Sequence, residues 1–265
     1  MEGCVLAGTN NLFTVECSDG VVRNCTIKGK VLKSEKTFYN PLAPGDQVQI
    51  EIDPINDEKG QVLSLFPRKN TFLRWNVKGR CPQLLASNLG YLILVTTPDE
   101  PPFRPRFIDR ALCQAEHQGI TPIVVCNKFD LAEQMQTDGR IDEYEEIEKR
   151  LNIWQDLGYK VLRISAKTGE GMPEFASLLE GKLSAFVGQS GVGKSSLINV
   201  LDNTCVLKTG SLSKKYGRGS HTTTKGTLIH LSINEALTDG IKGVKANIID
   251  TPGIRRFVLD DIEAD

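Results

Sequence analysis

Apolar and polar positions alternate in short runs over residues 1–66: "CVLAG", "NLFTVECS", "VVRNCTI", "DQVQIEID" and "GQVLSLF". A period of two marks strands with one buried face, and Ser18-Asp19-Gly20 and Pro44-Gly45-Asp46 punctuate the runs as turns. Short strands packed this densely predict a small closed barrel of the OB type, with another small barrel such as an SH3-like one as the alternative. From about residue 90 the pattern changes to continuous apolar runs followed by helical periodicity. "YLILVTT" precedes a helix expected over 105–118, "IVVCN" precedes a helix carrying "DEYEEIEKRLNIWQDLG", and "KVLRIS", "SAFVG" and "ANIID" are further buried strands.

Strands alternating with helices predict a mainly parallel sheet covered on both faces. Ligands of such sheets bind outside the carboxyl ends of the strands. Four short motifs fall at those ends: NKFD after "IVVC", SAK after "VLRI", GQSGVGKSS after "SAFV", and DTPG after "ANII". The expected organisation is a barrel over 1–68, a basic linker over 69–89 and an α/β domain over 90–265. The Pro-rich "TPDEPPFRPRF" at 97–107 reads as an irregular connection.

Composition narrows this picture. No apolar run approaches the roughly 20 residues that cross a bilayer, and the N-terminus lacks a basic region ahead of an apolar stretch, so a cytoplasmic protein without membrane attachment is expected. Seven scattered cysteines form no C-x-x-C and no zinc-spaced cluster, and read as reduced thiols. A net charge of −1 gives no global pull toward nucleic acid, so such binding must come from local patches. Arg68, Lys69, Arg74, Lys78 and Arg80 lie with Phe72 and Trp75 in an acid-free stretch suited to phosphate contact and base stacking, and the segment from Asn203 to Asn234 holds Lys208, Lys214, Lys215, Arg218 and Lys225. With the barrel, these make RNA a candidate partner; a solvated linker is the plainer reading of the first patch.

The motifs carry specific chemistry. Gly188, Gln189, Ser190, Gly191, Val192, Gly193, Lys194 and Ser195 fit G-x-x-x-x-G-K-[ST], followed by Ser196. Such a loop turns backbone N–H groups around a β-phosphate, Lys194 reaches the β and γ oxygens, and the Ser195 hydroxyl suits Mg²⁺. Asp250 and Gly253 fit D-x-x-G, the first to hold Mg²⁺ through water and the second to sense a γ-phosphate. Between them, Thr223, with Thr222 as the neighbouring choice, is the candidate loop threonine for Mg²⁺. Asn127, Lys128, Phe129 and Asp130 fit the N-K-x-D pattern that reads guanine: a carboxylate at Asp130 accepts from N1–H and the exocyclic amine, Asn127 contacts the N7/O6 side, and the Lys128 stem covers the base. Ser165, Ala166 and Lys167 end the next strand, where a backbone N–H supports guanine O6.

The order is unusual, because the base reader precedes the phosphate cradle. Joining the old chain ends near "EFASLLEGKLSAF" at 174–186 and opening a break after DTPG gives this order without moving a site residue. In the ordered set NKFD, SAK, GQSGVGKSS, GRGSHTTT and DTPGIRRF behind a barrel, the chain resembles the circularly permuted GTPases, and within them the RsgA (YjeQ) family of small ribosomal subunit biogenesis. The resemblance covers essentially the whole chain. It implies an α/β P-loop GTPase domain of circularly permuted topology after an OB-like barrel, GTP/GDP and Mg²⁺ as ligands, and the small ribosomal subunit and its rRNA as partner of a monomer. It also implies slow hydrolysis that the subunit stimulates. Ile254 stands where many GTPases carry a water-orienting glutamine, and the resemblance suggests His221 for that role beside Lys194. The zinc-binding region of Cys and His that the resemblance implies after the switch offers no ligand up to Asp265.

Three rival readings remain open from the sequence: a non-catalytic, GTP-dependent RNA-binding assembly factor, a permuted GTPase of the large subunit, and an ATPase or small-molecule kinase. The last leaves NKFD without a purpose.

Overall fold

The computed structural model of the protein describes residues 1–9, 11–29, 38–76, 79–205 and 226–251. The alternating runs become β1 (Glu2–Thr9), β2 (Leu12–Cys17), β3 (Val22–Ile27), β4 (Gln47–Ile52) and β5 (Lys59–Leu65), closed in the order β1-β2-β3-β5-β4. β3 and β5 pair in parallel while β1 closes antiparallel on β4, which is the OB arrangement. Val5, Phe13, Val15, Cys25, Val48, Ile50 and Val62 fill the interior. A register shift between Val5 and Ala7 bends β1, and Leu6 joins a different core, beneath the larger sheet.

Residues 69–89 correct the expectation of a linker. They hold a two-stranded hairpin, β6 (Thr71–Asn76) and β7 (Cys81–Ser87), which packs Phe72, Leu85 and Ala86 into the same core as Leu6. The hairpin packs into a core that barrel and sheet share. Much of the basic patch is therefore structural. Arg68 donates from Nε and Nη2 to the two oxygens of the fully buried Asp46 carboxylate, both at 2.7 Å, and from Nη2 to the Pro41 carbonyl at 3.0 Å. Bidentate pairs of this kind fix geometry as well as charge. Phe72 is fully buried and offers no face to a base, and Arg74 is half-buried with its Nε donating to Gln83. Trp75, Lys69 and Arg80 remain exposed, and Lys78 lies outside the described residues.

The α/β domain has one six-stranded sheet: β8 (Tyr91–Thr96), β9 (Thr121–Cys126), β10 (Lys160–Arg163), β11 (Leu183–Gly188), β12 (Thr227–Ser232) and β13 (Lys245–Asp250), in the order β10-β9-β8-β11-β13-β12. All neighbours are parallel except the edge strand β12, antiparallel to β13. Alternate residues feed opposite cores. Leu92, Leu94, Val124, Ala185 and Ile249 face α1 (Pro105–His117) and α3 (Ile141–Asp156), whereas Ile93, Val95, Val125, Phe186 and Ile248 face α4 (Met172–Leu179) and α5 (Lys194–Leu201). Burial on both faces explains the unbroken apolar runs. Another helix, α2 (Asp130–Thr137), begins after three intervening residues beyond the end of β9 at Cys126.

The joint between the two halves is short. After α4 ends at Leu179, Gly181 takes a left-handed φ of 64°, donates its N–H to the Lys245 carbonyl at 2.9 Å, and β11 begins at Leu183. A reversal within three residues needs that conformation, which glycine adopts without steric cost.

Candidate active site

The central strand β11 ends in the glycine-rich turn, and α5 starts at Lys194. Gly191 and Gly193 have φ of 88° and 92°, so the loop uses two residues in the left-handed region to turn its N–H groups inward. A side chain at Gly193 would also overlap Asn127 Nδ2, and one at Gly188 would lie 2.5 Å from the Val95 carbonyl oxygen. The Lys194 ammonium donates to the Gly188 and Gln189 carbonyls at 2.8 and 3.1 Å. Burial lowers its pKa and nearby Asp250 opposes the shift only in part.

Asp250 ends β13 and is 6% exposed. Burial pushes its carboxyl up to about 6, with Lys194 pulling the other way. Among the described residues its carboxylate accepts no hydrogen bond and forms no ion pair. Thr251, its neighbour, donates from Oγ1 to the Phe186 carbonyl of β11 at 2.6 Å, pinning the end of β13 to the cradle strand. Ser195 lies in the first turn of α5, half-buried, with Ser196 after it. A hydroxyl and a buried carboxylate are hard oxygen donors, and this pair fits Mg²⁺ beside phosphate oxygens. No group of three or more His, Cys, Asp or Glu side chains able to hold a metal occurs among the described residues.

The two motifs expected to read the base, NKFD and SAK, converge on one side chain. Asn127 is 1% exposed; its Nδ2 donates to the Val192 carbonyl of the cradle at 2.9 Å, and its Oδ1 accepts from the Ala166 N–H at 3.1 Å. One residue thus bonds the NKFD turn to both the phosphate loop and the SAK turn. The sequence reading gave Asn127 only to the base. With its oxygen engaged and one N–H used, a single N–H is left for the N7 side. The Asp130 carboxylate accepts from Ser165 Oγ at 2.7 Å, and Lys167 Nζ lies 3.6 Å away, its side chain mostly exposed. Ser165 Oγ itself accepts from the Lys167 and Thr168 N–H groups, both at 3.2 Å. Phe129 donates its N–H to the Ile164 carbonyl at 3.0 Å, while its ring packs beneath the Arg163 guanidinium. Lys128 has a φ of 58°, and its ammonium donates to the Glu100 carbonyl.

NKFD, SAK, the glycine-rich loop and Asp250 therefore surround one crevice at the carboxyl ends of β9, β10, β11 and β13. His221, Thr222, Thr223 and Gly253 lie outside the described residues.

A family model described as RsgA GTPase matches residues 65–260. The chain belongs to the RsgA GTPase family. Relatives named small ribosomal subunit biogenesis GTPase RsgA include one from Borrelia recurrentis (strain A1), 37% identical over 259 residues, covering 97% of this chain and 75% of the relative. Another, from Flavobacterium psychrophilum, is 36% identical over 266 residues, covering 99% and 76%. The crystal structure of YjeQ from Thermotoga maritima superposes with a TM-score of 0.67 at 28% identity, covering 99% of this chain and 78% of that one. YloQ, described as a circularly permuted GTPase, matches in fold with a TM-score of 0.62 at 24% identity over 99% and 74% of the two chains. Membership in the RsgA GTPase family makes the chain a GTP hydrolase with a permuted P-loop domain behind an OB-like barrel.

Proposed function

We propose that this chain hydrolyses GTP to GDP and phosphate during late maturation of the small ribosomal subunit, using the crevice at the strand ends. The observation that carries the reading is the Asn127 side chain, which bonds the base-reading turn to Val192 of the cradle and to Ala166. An accidental NKFD would have no reason to share a buried amide with a phosphate loop.

In this reading Asp130 takes the guanine N1–H and exocyclic amine, with Ser165 holding the carboxylate in place. An adenine, lacking that donor pair, leaves the carboxylate unmatched at a cost of about 1–3 kcal/mol. The N–H groups of the 188–195 loop and the Lys194 ammonium receive the phosphates. Ser195, Asp250 and Thr223 would hold Mg²⁺, which would supply neutralisation of charge on the phosphates. Ile254 cannot orient water, so that role falls to His221 or to a group from the partner. Turnover of the free protein is slow, on the order of ~10⁻⁴ to 10⁻² s⁻¹. Binding to rRNA uses the barrel with exposed Lys69, Trp75 and Arg80 at the hairpin. The protein acts as a cytoplasmic monomer.

The test is GTP turnover with purified small subunits, large subunits or neither. Stimulation by small subunits alone is expected. Equal rates in all three would favour a GTP-dependent assembly factor whose nucleotide is structural, and stimulation by large subunits would assign it elsewhere.

A further inference from the structure

The loop between β8 and α1, residues 97–104, lies across the nucleotide crevice. Its backbone meets both halves of the site. The Glu100 carbonyl accepts from the Lys128 ammonium, and Pro101 approaches the phosphate loop so closely that a side-chain carbon at Gly191 would lie 3.5 Å from its Cδ. Thr97 Oγ1 donates to the Pro101 carbonyl at 2.9 Å, closing the loop on its own stem. The far side is anchored by Asp99. One of its oxygens accepts the Glu100 N–H at 2.8 Å, and the other accepts from Arg140 Nη1 at 2.9 Å at the start of α3. Arg140 is in turn held by Glu143 at 2.6 Å. Phe103 completes the attachment, its ring 6.1 Å from that of Trp154 on α3.

We infer that this loop is a strap that positions Lys128 over the bound base, and that the Asp99–Arg140 ion pair sets how long a guanine nucleotide stays bound. The inference rests on the nucleotide reading of the crevice. Lys128 adopts a left-handed backbone conformation, which lysine takes at a steric cost, and an outside acceptor is needed to hold its long side chain in one direction. The Glu100 carbonyl is that acceptor. Asp99 orients Glu100 through the Glu100 N–H and transfers the hold to α3, so Asp99 and Arg140 are positioning residues that touch no nucleotide. The strap acts through Lys128 and leaves Asp130 untouched. It therefore changes residence time without changing which base is preferred.

The test follows dissociation of fluorescently labelled GDP and IDP from the full chain, for wild type, Asp99→Ala, Arg140→Ala and the exchange Asp99→Arg/Arg140→Asp. The single variants are expected to release GDP about two- to fivefold faster, as befits a partly exposed ion pair, and IDP faster by the same factor. The exchange re-forms the ion pair but not the acceptor for the Glu100 N–H, so it recovers the wild-type rate only in part; saturated GTP turnover stays unchanged, and the melting temperature moves little. GDP release unchanged in both single variants would overturn the strap, as would a change confined to GDP, because that would act through Asp130. Loss of rate control in step with loss of melting temperature, unrescued by the exchange, would reduce the pair to a fold contact. Failure of the wild type to bind labelled GDP would instead overturn the nucleotide reading itself.

Discussion

The two sides of the crevice are built on opposite principles. On the base side the polar atoms are matched before any ligand arrives: Asn127 is bonded to Val192 and Ala166, Asp130 to Ser165, and Ser165 to two further N–H groups. On the phosphate side Asp250 is buried and Lys194 half-buried, and the two charges compensate each other only in part: burial lowers the lysine pKa and raises the carboxyl pKa. A matched network is a rigid template, whereas uncompensated buried charge costs folding stability and is relieved by a ligand of the complementary kind. In the proposed reading, base recognition is thus set in advance, and the phosphate side reserves its stabilisation for the bound state.

The comparison can be broken by asking which substitutions cost stability and which cost binding. The largest effect is expected at Lys194→Ala, with GTP affinity or single-turnover rate falling by about 10² to 10³, while thermal unfolding of the nucleotide-free protein shows no loss. A large loss of melting temperature there would mean that the ammonium is a fold element.

Asp250→Asn is next. A carboxyl whose folded pKa lies above its unfolded value binds more protons when folded, so the nucleotide-free protein loses stability as pH rises from about 4 to 6, and the full cost persists above. Replacing the charge should raise stability at neutral pH by up to about 3 kcal/mol, abolish that pH-dependent difference between variant and wild type, and weaken Mg²⁺-dependent GTP binding. Denaturant titrations at pH 4 and pH 7 read it directly, and no gain at pH 7 would contradict the picture.

On the base side the pattern reverses. Asn127→Ala leaves the Val192 carbonyl and the Ala166 N–H without partners, so it should cost about 1–3 kcal/mol of stability as well as nucleotide affinity. Affinity lost with stability intact would show that the network is not prebuilt. Asp130→Asn should weaken GTP by about 10- to 100-fold and shift preference toward xanthosine nucleotides, measured by competition. The smallest effect is expected at Lys167→Ala: the side chain is exposed and 3.6 Å from Asp130, so affinity should change by less than about threefold.

The sequence made the two principles unequally legible. NKFD, SAK, the glycine-rich loop and DTPG are local strings at strand ends, and the strands themselves follow from uninterrupted apolar runs. What escaped depends on contacts between distant segments. The bond from Asn127 to Val192 spans 65 positions and leaves no spacing to read. The hairpin at 71–87 carried a signal, two short runs around a "KGR" turn, but its charges suggested a solvated linker and Phe72 a stacking surface. Burial of Phe72 beneath the sheet decides otherwise. Edge strand β12 follows a polar segment and becomes recognisable only once paired with β13. The strap looked irregular because its order comes from Asp99–Arg140 and Glu100–Lys128, neither local in sequence.

The displaced Leu6 side chain has a mechanical meaning. It embeds the first barrel strand in the core that also holds Leu228 of β12 and Ile249 of β13, and Glu16 of the barrel pairs with His230 of β12 at 3.0 Å. The turn at Pro44 and Gly45 is hydrogen-bonded to Ser87 and Asn88 just before β8. Barrel and sheet therefore share one packed core rather than hanging as beads on a string, and β13, the strand paired with the β12 that the barrel touches, ends in Asp250.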